Sequence, residues 1–87
     1  MKVERITDIQ RKEAYIDYRR MYTGNATLSL NTSGSVEVPI EFALEQTALG
    51  SIDITVNLLR KIEYPVLPVI DNLKEYIREL STTGQLS

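Results

Sequence analysis

From Val36 to Leu58 the chain alternates apolar and polar residues with a period of two, broken only by a turn at residues 47–50. From Val69 to Leu80 the period changes to that of a helix. A period of two puts successive side chains on opposite faces of a strand, and a period near 3.6 makes one apolar stripe on a helix. Val36, Val38, Ile40, Phe42 and Leu44 therefore share one face, with Glu37, Pro39, Glu41, Ala43 and Glu45 on the other. Ile52, Ile54, Val56 and Leu58 oppose Asp53, Thr55 and Asn57 in the same way. A sheet that is apolar on one side needs a cover, and Val69, Ile70, Leu73, Ile77 and Leu80 supply it.

The earlier segments extend this plan. Ala26, Leu28 and Leu30 alternate with Thr27, Ser29 and Asn31, which predicts a short strand before the turn cluster 31–34. Thr7 and Gln10 have the spacing of a capping box, and a helix starting at Asp8 would gather Ala14, Tyr15, Tyr18, Met21 and Tyr22 on one face. Gly24 suits the left-handed position after such a helix. The competing assignment is a strand over residues 14–22, because tyrosine and isoleucine favour sheets. The two caps and the shared face favour the helix, with Ile9 and Ile16 left on its polar side. Pro39 has no N–H to give to a ladder, so its amide side is expected at an edge or bulge. Tyr64 to Pro68 reads as an extended connector, with Pro68 tolerated in the first turn of the last helix. The expected fold is α+β in the order α-β-β-β-α: a three-stranded antiparallel meander, a C-terminal helix on one face and an N-terminal helix beside it. The 87 residues form one domain, with 1–6 and 82–87 frayed.

Composition narrows the chemistry. The chain has neither cysteine nor histidine, which removes disulfides, thiolate nucleophiles and the commonest general base. The glycines at 24, 34, 50 and 84 stand apart and form no phosphate-binding loop. No catalytic set and no cofactor motif emerges, so a non-enzyme is expected. Residues 2–13 lack the apolar core of a leader, and no run approaches the roughly 20 residues of a membrane span. A cytoplasmic protein is expected.

Charged residues suggest two weak sites. Glu37, Glu41 and Glu45 lie about 13 Å apart along their strand, too far to share a proton or flank a glycosidic bond. Glu45 and Asp53 come together only if Leu44 pairs with Ile54, which sets their β-carbons about 5 Å apart and could hold a divalent cation. The alternative register, Leu44 with Ile52, puts Glu45 against Ser51 and is expected, since like charges directly opposite are costly. Arg11, Lys12, Arg19 and Arg20 alternate with Tyr15, Tyr18 and Tyr22, a composition that nucleic-acid surfaces also use. The order helix–strand–strand–strand–helix is similar to that of double-stranded RNA-binding domains over most of the chain. That resemblance implies lysines at the start of the second helix and a histidine between the first two strands. Here those places read Pro68-Val69-Ile70-Asp71-Asn72 and Asn31-Thr32-Ser33-Gly34-Ser35. The favoured function is a non-catalytic interaction or assembly module forming a homodimer or binding another protein. Its expected contacts are Ile9, Ile16 or a sheet edge, with Tyr64 and Val66 in the connector as a second surface. Nucleic-acid binding through Arg19 and Arg20 is the alternative.

Overall fold

The computed structural model describes residues 1–12, 19–30 and 34–86. It is α+β: β1 (Lys2–Lys12), β2 (Arg19–Leu30), β3 (Gly34–Gln46), β4 (Ile52–Leu58) and α1 (Val66–Thr82). The strands form one antiparallel sheet in the order β1-β2-β3-β4. The expected three-stranded meander is thus four-stranded, and the expected N-terminal helix is absent from the described part of residues 8–22. Residues 8–12 end β1 and residues 19–22 begin β2. Ala14, Tyr15, Ile16 and Tyr18, on which much of the helical face rested, lie outside the described residues.

The local signals for that helix serve the sheet instead. The Thr7 hydroxyl donates to the Asn25 carbonyl across the strand pair rather than capping a turn. Asp8 adopts φ +53°, a left-handed conformation that aspartate tolerates better than most residues. It sits in one of two bulges of β1, between Thr7 and Gln10; the other lies between Val3 and Arg5. A bulge inserts an extra residue and breaks strict alternation, which is why β1 does not look like a strand in sequence. Residues 2–6, expected to fray, belong to β1, and Val3 and Ile6 are buried in the core.

Gly24, read as a helix terminator, lies inside β2 opposite the second bulge. A Cβ there would stand 3.0 Å from Ile6 Cγ2 and 3.3 Å from the Thr7 carbonyl oxygen. The isoleucine tip can shift slightly but the backbone oxygen cannot. Gly24→Ala is expected to lower stability by about 1–3 kcal/mol through overpacking. A urea midpoint equal to that of the unsubstituted chain would show that the bulge relaxes freely.

The core lies between α1 and one face of the sheet. Tyr22, Ala26 and Leu28 of β2, Val38, Ile40, Phe42 and Leu44 of β3, and Ile54 and Val56 of β4 meet Val69, Leu73 and Ile77 of the helix. Tyr22 and Phe42 stack with ring centroids 5.1 Å apart. The helix lies across the sheet and touches both β4 and β1. It ends in a Schellman arrangement: the Gln85 N–H donates to the Leu80 carbonyl, the Gly84 N–H donates to that of Ser81, and Gly84 takes φ +75°.

Two details correct the strand reading. Leu44 pairs with Ile54, not Ile52, so Glu45 stands opposite Asp53. Like charge did not decide the register because Arg19, on the adjacent β2, donates to Glu45 at 2.7 Å and offsets the repulsion. Pro39 is paired with Asn25 of β2, and its carbonyl accepts from the Leu59 N–H. In an antiparallel strand a residue's N–H and C=O point to the same neighbour. The missing Pro39 donor therefore faces the end of β4, where ladder pairing stops at Ile40 with Leu58.

Candidate functional site: the β4 edge

Both outer strands expose one row of backbone groups, but only β1 is blunted. Its two bulges, the left-handed Asp8 and the charged residues Lys2, Glu4, Arg5, Arg11 and Lys12 all discourage another strand from pairing there. By contrast, β4 runs in unbroken register from Ile52 to Leu58 with Asp53 as its one charge. It contains no proline or glycine. Among the described residues its backbone pairs only with β3.

The direction of each backbone group follows from the ladder. Leu59 donates to Pro39 and Ser51 accepts from Thr47, so both turn toward β3. Alternation then turns Asp53, Thr55 and Asn57 toward β3 as well, and leaves the N–H and C=O of Ile52, Ile54, Val56 and Leu58 pointing to solvent at the edge.

The large apolar side chains most exposed to solvent flank this strand. Leu49, 94% exposed, tips the turn that enters β4. Leu59 (53%), Val66 (46%) and Leu67 (76%) stand where the chain leaves β4 and enters α1. The turn is well held: the Gly50 N–H donates to the Thr47 carbonyl, and the Thr47 and Ser51 hydroxyls lie 2.7 Å apart. Turns favour small polar residues, so a projecting leucine there has no local structural use. At the other end, Val56, Leu58, Leu59, Ile62, Val66 and Ile70 line an open groove of about 590 Å³. Arg60 and Lys61 border it and supply positive charge.

The residues singled out in the sequence fall in several places. Val66 lines this groove, while Tyr64 is half-buried against the core. Ile9 is also partly buried against the core beside the β1 bulge. Ile16 lies outside the described residues. Arg19 pairs with Glu45 on the open face of the sheet, and Lys12 pairs with Glu41 at 3.4 Å. Arg20, paired with Leu44, is half-buried on the face that carries α1. Glu45 and Asp53 are adjacent, and among the described residues no group of three acidic, histidine or cysteine side chains gathers around a common point. Leu49 and Leu59 were missed in the sequence. The available signal was an apolar residue in the third place of the turn Thr47-Ala48-Leu49-Gly50.

The family model that matches this chain, that of the BB_0187 family, covers residues 1–82. The chain belongs to that family. The matched span takes in every strand and all of α1, so the β4 edge and its groove lie within the family's domain. Comparison with curated proteins and with solved structures finds no match. Among the described residues of this family member, no helix is long and apolar enough to cross a membrane.

Proposed function

We propose that this protein is a non-catalytic assembly module that associates with further copies of itself through β4. The observation that carries the reading is the contrast between its edges: β1 is twice bulged and charged, whereas β4 is regular and bears a single charge. Proteins that remain monomeric protect both edges. The solvent-exposed leucines at the two ends of β4 support the same reading, because apolar contact adds to what strand pairing alone supplies. Two cations of the basic cluster, Lys12 and Arg19, already hold carboxylates, so a phosphate backbone would have to displace Glu41 and Glu45. That makes the nucleic-acid alternative the weaker of the two.

Light scattering on a sizing column, across protein concentration, tests the proposal. The expected result is a dimer that dissociates on dilution. Thr55 is exposed in the middle of β4, and Thr55→Lys blunts the edge without touching the core. That variant is expected to run as a folded monomer at concentrations where the parent chain is dimeric. A parent chain that stays monomeric at every concentration removes the proposal.

A further inference from the structure

Resting on that reading, we infer the register of the assembly: two copies pair β4 to β4, antiparallel, about a two-fold axis through Thr55. The backbone fixes which registers are possible. Within β4 the edge-directed groups are those of Ile52, Ile54, Val56 and Leu58, so each must meet a residue of that same set on the second copy. Centring on Ile54 leaves Leu58 without a partner from the set, and centring on Val56 leaves Ile52 without one. Centring on Thr55 pairs Ile52 with Leu58 and Ile54 with Val56 in both directions, so every edge-directed group of the strand is used. A two-fold interface has this reciprocal form, in which each contact occurs twice.

Side chains agree with the same axis. Asp53 comes opposite Asn57 of the second copy, so the one charge of β4 never meets its like. Thr55 meets Thr55, a pairing that sheets favour. Beyond the strand ends, Ser51 comes opposite Leu59 of the second copy, since both residues still follow the ladder to β3. Leu49, two residues further, is then carried toward Leu59 and the groove lined by Val56, Ile62, Val66 and Ile70. The projecting leucine of each turn thus meets the open apolar groove of the other copy. Arg60 and Lys61 arrive at the end of the partner sheet where Glu45 and Asp53 stand opposite one another, which is charge complementarity. The occupant that fits this edge is a second copy of this chain.

Because the protein has no cysteine, single substitutions can read the register directly. Odd-numbered residues of β4 form the non-hydrogen-bonded pairs of such a dimer, with Cα atoms about 4.5 Å apart, within disulfide range. Thr55→Cys is expected to give a covalent dimer under mild oxidation at low micromolar concentration. Asp53→Cys and Asn57→Cys alone are expected to cross-link poorly, and their equimolar mixture efficiently. Leu49→Asp, at a position exposed in the single chain, is expected to raise the dimer dissociation constant roughly tenfold or more while leaving circular dichroism unchanged. A dimer in which Thr55→Cys does not cross-link, or in which Asp53→Cys cross-links equally well, overturns the register and leaves the assembly reading standing. A strict monomer removes both.

Discussion

Phe42→Ala is expected to lower stability by about 3–5 kcal/mol, the range for removing a buried aromatic side chain. Phe42 lies in β3 and is 1% exposed. It pairs with Tyr22 on one side and Val56 on the other, so one rung of the sheet ties β2, β3 and β4 together at this ring. Its stack on Tyr22, at 5.1 Å and 15° between planes, adds about 0.5–1.5 kcal/mol beyond the apolar area it buries. A domain of this length has roughly 4–13 kcal/mol of total stability at typical per-residue values. The substitution therefore removes a large share of it. Urea unfolding followed by circular dichroism reads the loss directly, and Phe42→Leu should recover part of it by refilling the cavity. A loss below about 1 kcal/mol would mean that the rung collapses around the missing ring, contrary to the close packing of a central strand.

Leu73→Ala is expected to cost about 2–5 kcal/mol for a different reason: it loosens the cover rather than the sheet. Leu73 is fully buried midway along α1, between Val69 and Ile77 on the same stripe. An isolated helix of this length, carrying β-branched Val69, Ile70 and Ile77, is marginal in water. Its stability comes from docking on the sheet, so a weakened dock is expected to lower helix and sheet signals in one transition. Glu75→Ala, on the exposed side, should change stability by a few tenths of a kcal/mol at most. Helical signal lost well before the near-ultraviolet signal of Tyr22 would show that α1 unfolds as a separate unit.

The parts of the fold readable in the sequence are those where one periodicity runs unbroken. Over β3 and β4 every apolar position faces α1, apart from the buried Ala43 on the opposite face. The stripe Val69, Leu73, Ile77 fell where its spacing put it. The N-terminal half was misread where two physical effects overlap. Bulges at Glu4 and Asp8–Ile9 shift the phase of β1, and polar residues that cap helices also suit left-handed bulge positions. That error propagated: with Arg19 assigned to a helix, nothing was available to offset Glu45 against Asp53, and the wrong register looked cheaper. The candidate site was legible only at Val66. Leu49 and Leu59 become informative once the ladder shows that they stand at opposite ends of one free edge, a relation that exists in space and not along the chain.

The bulges of β1 also determine where growth stops. An antiparallel sheet with two usable edges has a valence of two and can add copies indefinitely, which is the route to a fibre. With Asp8 turned into the left-handed region and the ladder interrupted on both sides of Arg5-Ile6-Thr7, one edge is withdrawn and the valence falls to one. Pairing at β4 then terminates after a single event, and the product is a closed pair with a bulged, charged strand at each outer margin.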